Sequence, residues 1–153
     1  MKLVSACLMG IHCRFDGKSS LDTDIQQLVI EGKAVPICPE QIGGLSTPRL
    51  PAEIIGGTGE DVLDGKAKVM NMEGEDVTEA FIRGAEEVLR IAKTVGATEA
   101  ILKERSPSCG SNVIYNGTFQ GIKQAGNGVT AALLKRNGIQ VKSEETENET
   151  TFK

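Results

Sequence analysis

The sequence predicts a three-layer α/β/α protein built on a mainly parallel sheet, and two observations predict it. Short apolar runs of strand character alternate with longer stretches of helical periodicity, as in repeated βαβ units. Apolar residues make up 39% of the 153-residue chain and charged residues 25%, which suits one soluble domain with a real core.

The elements follow in chain order. KLVSA (2–6) is strand-like and leads into Cys7, with Gly10 soon after. LDTDIQQLVIEGK (21–33) has helical spacing, with Asp22 or Thr23 at its cap and Gly32 closing it. AVPICPE (34–40) is a second buried-strand segment reaching Cys38. QIGGLSTPRLPAEIIGGTGEDV (41–62) is rich in Gly and Pro and reads as a long functional connector. KAKVMNMEGEDVT (66–78) reads as a small hairpin turning near Glu73-Gly74. DVTEAFIRGAEEVLRIAKTVG (76–96) is the clearest helix: Phe81, Ala85, Val88, Leu89 and Ala92 share a stripe, and Gly96 stops it. TEAILKE (98–104) is a strand, GVTAALLKRNG (128–138) a helix stopped by Gly138, and IQVKSE (139–144) a last strand. The expected organisation is one domain over residues 1–145 and a flexible polar tail over 146–153, with no repeats. Strands alternating with helices make the expected sheet Rossmann-like.

Composition excludes several function classes. The chain has no Trp, 3% aromatics and a net charge of −4, which argues against nucleic-acid stacking surfaces and against DNA or anionic membranes as partners. No run approaches the roughly 18–20 apolar residues of a membrane span. The start, MKLVSACLMGIHC, is broken by polar and charged residues too early for a signal peptide. The expected location is therefore the cytoplasm, where cysteines more often bind metal or do chemistry than form disulfides.

Ligands of parallel α/β sheets gather beyond the carboxyl ends of the strands. Cys7, Cys38 and Cys109 each follow a predicted strand, with Gly10, Pro39 and Gly110 close after them, so three thiols from distant segments are expected at one sheet edge. A single cysteine is commonly an inert small hydrophobe. Structural zinc prefers ligand pairs spaced C-x(2–4)-C and a redox dithiol prefers C-x-x-C; neither spacing occurs, and Cys7 and Cys13 have five residues between them. Iron–sulfur clusters accept scattered thiolates, and Gly10, Gly43, Gly44 and Gly110 would admit backbone close to a bulky group.

Four ordered stretches resemble the DUF523 family of bacterial proteins, which includes the thiouracil desulfidases. They are SACLMGIHCRFDG (5–17), VPICPEQIGGLSTPRLPAE (35–53), LKERSPSCGS (102–111) and YNGTFQGIKQAGNGVTAALL (115–134). The resemblance implies a [4Fe–4S] cluster held by Cys7, Cys38 and Cys109, with one iron open to the substrate's sulfur. It implies removal of sulfur from thiolated uracils (2- or 4-thiouracil, 4-thiouridine monophosphate) to give the oxo-base and sulfide, with Glu40 and Ser106 as catalytic residues. The chemistry is consistent with that assignment: an exposed iron is a Lewis acid for a soft thiocarbonyl, and hydrolytic C–S cleavage wants a carboxylate as general base. The expected partner is a small thiolated base or nucleotide, and the expected protein a monomer or small homo-oligomer.

Arg14, Asp16, Arg49, Glu53 and Lys103, with Arg105, are charges near these motifs that would bind substrate or, more commonly, form a solvated or ion-paired face. Gly126 and Gly128 precede a helix whose free amides would take an anion. His12, the only histidine, reads as a loop residue. The resemblance assigns Cys13 no ligand role, yet a fourth thiolate would close the open iron. That leaves two alternatives: an iron–sulfur or zinc protein with a structural or sensing role, and a metal-free thiol enzyme or binding module.

Overall fold

The computed structural model describes residues 1–145; the predicted tail, 146–153, lies outside them. The elements are β1 (Lys2–Ser5), a 3-10 turn (Ala6–Met9), α1 (Thr23–Ile30), β2 (Ala34–Ile37), α2 (Pro39–Ile42), β3 (Ala52–Ile55) and α3 (Gly59–Leu63). There follow β4 (Lys68–Asn71), α4 (Thr78–Val95), β5 (Glu99–Leu102), β6 (Val113–Tyr115), β7 (Lys123–Ala125), α5 (Val129–Arg136) and β8 (Gln140–Ser143).

Four strands form a parallel sheet in the order β2-β1-β5-β8. Successive side chains on a strand point to opposite faces, and here both faces are apolar. Leu3, Ala100 and Leu102 pack with Val88 and Ala92 of α4 and with Ala131 and Leu134 of α5. Val4 and Ile101, one residue out of phase, pack with Ile25 of α1 on the other side. The predicted three-layer α/β/α architecture is the observed one. The caps explain the helix bounds: Asp22 accepts hydrogen bonds from the Asp24 and Ile25 amides, and Gly96, at φ 68°, ends α4 in the left-handed region.

From β1 the chain crosses outward to β2 on one side, whereas β5 and β8 lie on the other. The order therefore reverses between β1 and β5, and a crevice opens there at the strands' carboxyl ends.

Two predicted segments differ. The stretch 41–62 is not a bare connector: it begins inside α2 (Pro39–Ile42), contains β3 and ends inside α3. The hairpin expected within 66–78 is not self-contained: β4 pairs antiparallel with β3, Ala52 opposite Asn71. The turn at Glu73-Gly74 does form, with the Asn71 Oδ1 accepting the Glu73 and Glu75 amides, but its return leg is a single bridge from Asp76 to Met70 before α4 begins. A further small hairpin, β6–β7, has strands of three residues, too short to show a period.

Candidate active site

The site is assembled by three turns that leave the sheet at its carboxyl edge. Cys7 sits on the 3-10 turn after β1, and Cys38 is the N-cap of α2 directly after β2. Cys109 lies in the loop after β5, in which the Ser106 Oγ accepts the amides of Ser108 and Cys109, each at 3.1 Å. The carbonyls of that loop are used by α5: Pro107 O accepts the Val129 amide, Ser108 O those of Thr130 and Ala131, and Gly110 O that of Gly128. This corrects the anion site expected at Gly126 and Gly128. The amides at the start of α5 are taken by protein carbonyls, Gly126 N by Asn112 O, so no anion-binding nest is presented there.

A cavity of about 420 Å³ opens among these turns, within the usual size of a small-molecule site. Its wall includes Cys7, Cys13, Cys38, Cys109, Glu40 and Ser106. All four thiols are free. Cys109 packs in the core cluster of the α4–α5 face, and Cys7 and Cys13 in that of the α1 face, so the cavity spans the sheet edge. Cys13, given no ligand role by resemblance, lies in the same wall, and its carbonyl accepts a hydrogen bond from the Cys38 thiol at 3.8 Å. Among the described residues, no three His, Cys, Asp or Glu side chains are arranged to hold one metal ion.

Thiolates are disfavoured in these surroundings. Burial pushes the Cys109 thiol up to about 12, against hydrogen bonds with Ser5 and Ser108 that pull it down. Cys13 hydrogen-bonds with Cys38, which lowers it, but Cys7 and burial outweigh this and raise it to about 11. Cys38 is pushed up by its hydrogen bond with Cys13 and then by burial. Only a strong Lewis acid would draw these thiols into their thiolate form at neutral pH.

Glu40, on α2, faces the thiols with both oxygens held. Arg49 Nε donates to Oε1 at 3.0 Å, and Ser108 Oγ donates to Oε2 at 2.9 Å. The Arg49–Glu40 pair is largely buried, and Arg49 also donates to Cys13 O at 2.9 Å and to Ser46 O at 3.2 Å. Ser106 Oγ stands 2.9 Å from Ser108 Oγ but 3.5 Å from Glu40 Oε2.

The other predicted residues fall as follows. Arg14 lines the cavity but pairs with Asp16 and donates to Ser20 Oγ; Asp16 is exposed outside the cavity wall. Glu53 lines it with one oxygen accepting the Gly117 and Phe119 amides. Lys103 lines it and pairs with Glu144, and Arg105 pairs with Glu145. His12 is exposed and is not part of the wall.

Sequence reasoning missed Ser108 and Glu104. Glu104 is buried, and its carboxylate accepts the amides of Ser111, Asn112 and Val113 and the side chain of Asn112. Burial opposes its ionisation, but those hydrogen bonds outweigh burial and hold its carboxyl below the usual range. The lone clue in the sequence was an acidic residue beside an otherwise apolar strand.

Fold and site together define an α/β protein with a thiol-walled ligand cavity at the switch point of a parallel sheet. The sequence matches the family described as 2-thiouracil desulfurase over residues 3–146, and the chain belongs to that family. It is 58% identical over 149 residues to the uncharacterized protein YbbK of Bacillus subtilis (strain 168), covering 97% of this chain and 99% of that one. It is also similar to the solved structure of the [4Fe-4S]-dependent thiouracil desulfidase TudS (DUF523Vcz). The TM-score is 0.84 at 47% identity, over 98% of this chain and 94% of that one.

Proposed function

We propose that this chain is a cytoplasmic, [4Fe–4S]-dependent desulfidase that hydrolyses the C=S bond of a small thiolated pyrimidine, base or nucleotide, giving the oxo-base and sulfide. Residues 1–145 would act as one domain, alone or in a small homo-oligomer. The observation that carries this reading is the meeting of Cys7, Cys38 and Cys109 with Glu40 and Ser106 around one cavity. The donor set suits the cluster: soft, free thiols line one space of ligand size. Cys7, Cys38 and Cys109 would be its ligands. When bound, such a cluster supplies a Lewis-acidic iron that takes the soft sulfur of a thiocarbonyl.

The protein's own residues then do the following. Glu40, held in register by Arg49 and Ser108, accepts a proton from the water that attacks the thiocarbonyl carbon. Ser106 holds the Cys109 loop through two amides and presents its hydroxyl beside the carboxylate. The balance, thiocarbonyl plus water giving carbonyl plus hydrogen sulfide, needs no external electrons.

The test is an anaerobic sulfide-release screen over 2-thiouracil, 4-thiouracil and 4-thiouridine monophosphate with the reconstituted protein. The parent is expected to release sulfide. Glu40→Ala is expected to keep its iron and sulfide content while losing turnover, and Cys38→Ser to lose the cluster. Turnover by Glu40→Ala at the parent rate removes the carboxylate from the reaction. A second reading, a cluster protein closed by four thiolates and without catalysis, is favoured by one observation: Cys13 lines the same cavity as Cys7, Cys38 and Cys109.

A further inference from the structure

We infer that Glu53 is a specificity-determining residue: Oε2, the oxygen it leaves uncommitted in the cavity wall, accepts the N3–H of the bound pyrimidine, so that the site takes uracil-type thiolated bases and refuses cytosine-type ones. The inference rests on the desulfidase reading for its effect on turnover, and on the hydrogen bonds of the wall for its direction.

Three carboxylates line the cavity, those of Glu40, Glu53 and Glu104. Glu40 has both oxygens engaged, by Arg49 and by Ser108. Glu104 has both engaged as well, Oε1 by loop amides and Oε2 by the Asn112 side chain. Glu53 differs. Its Oε1 accepts the Gly117 amide at 2.9 Å and the Phe119 amide at 3.2 Å, while Oε2 takes no hydrogen bond among the described residues. The cations of the same wall are held elsewhere: Arg14 by Asp16, Arg49 by Glu40, Lys103 by Glu144 and Arg105 by Glu145. Glu53 Oε2 is therefore the carboxylate oxygen of this wall that remains to receive a ligand's N–H.

The chain fixes the orientation of Glu53. On β3, Ile54 is buried in the core with Val69 and Phe81, so Glu53, its neighbour on the strand, faces the other way. The loop after β6 lies against the strand there. Gly117, at φ 92°, comes so near that a Cβ on it would stand 2.7 Å from Ile54 O. Phe119 holds φ at 56°, a left-handed conformation that bulky side chains rarely adopt, and its amide meets the same carboxylate oxygen. Tyr115, where that loop begins, adds to the wall an aromatic ring against which a flat base packs.

The chemistry of the bases names the donor. In a thiouracil, N3 lies between positions 2 and 4, so its N–H stands beside the sulfur whichever of the two carbons carries it. That N–H also remains when N1 bears a sugar. In 2-thiocytosine N3 carries a lone pair, and a carboxylate oxygen repels it. A site built to hydrogen-bond one group rejects the analogue without it, because the site's polar atom is left unpaired.

Glu53→Gln reverses the polarity of this position without changing its size. The two loop amides require an acceptor, so the carbonyl oxygen of the variant takes the place of Oε1 and its NH2 that of Oε2. The reconstituted parent is expected to release sulfide from 2-thiouracil with a kcat/KM about 100-fold or more above that for 2-thiocytosine. Glu53→Gln is expected to keep iron and sulfide content, to lose about 10- to 100-fold on 2-thiouracil, chiefly through KM, and to gain on 2-thiocytosine. A ratio between the two bases that the variant leaves unchanged, even if both rates fall together, overturns the inference. Calorimetric titration of the reconstituted parent with uracil and with cytosine reads the same preference without turnover or mutation. Uracil is expected to bind about 10-fold or more tightly than cytosine. Equal affinity, or affinity for neither, overturns the inference. If the parent releases no sulfide from any thiolated base, the functional reading fails while the titration still decides the role of Glu53.

Discussion

Arg49 joins three separate segments through one guanidinium: the Glu40 carboxylate, the Cys13 carbonyl and the Ser46 carbonyl. Its planar fork suits that task in a way that a lysine ammonium does not. Beside the site, Glu104 does the equivalent work for the loop that follows Cys109, as a buried carboxylate saturated with amide donors. Its folded value lies below the unfolded 4.5. The stabilisation is therefore complete above that unfolded value and is lost as pH falls through the depressed folded one. Glu104→Gln is expected to cost about 1–3 kcal/mol in urea unfolding at neutral pH, because its buried amide donors lose an acceptor. The gap between parent and variant is expected to close as the pH is taken down through the acid range. A gap that widens in acid would show that ionised Glu104 does not stabilise the loop.

At the scale of elements, the site depends on how closely α2 approaches α4. A Cβ on Gly84 would stand 2.0 Å from Pro39 O, and one on Gly43 would stand 2.1 Å from Ala80 O, so the backbones touch where glycine alone fits. This contact sets the position of α2 and with it Glu40. Gly84→Ala is expected to destabilise the fold by about 1–3 kcal/mol, the cost of overpacking. It is also expected to lower kcat more than cluster content, since Cys38 is anchored at the junction with β2 and Glu40 lies within the displaced helix. A variant with parent stability and turnover would show that the helices separate without cost. The helices and parallel strands were legible in the sequence because capping and apolar periodicity are local signals, as at Asp22 and Gly96. The β3–β4 pairing was not, because its partners lie on either side of a helix and the strands have mixed polarity.

At the scale of the molecule, parallel strands bring their carboxyl ends to one edge, and that is why cysteines roughly 30 and 70 residues apart in sequence share a wall. The same edge also receives Cys13. Cys13→Ser separates the two readings of the whole protein. In an open, three-ligand enzyme it is expected to retain iron, sulfide and sulfide release, whereas in a closed four-thiolate protein it is expected to lose cluster stability. Measured loss of iron together with no sulfide release from the parent would decide for the closed form.

The sequence by itself determined the alternation of strands and helices and the placement of Cys7, Cys38 and Cys109 just past strand ends. These are properties of short stretches, in which each residue's neighbours along the chain supply the signal. Tertiary structure alone decided that Arg49 belongs to Glu40, that Ser108 stands between Ser106 and the carboxylate, and that the Cys109 loop caps α5. Tertiary structure also put Cys13 in one cavity wall with the other three thiols. The physical reason is separation: Ser108 and Glu40 are 68 residues apart, and nothing local in either stretch registers a partner that folding alone brings within a hydrogen bond.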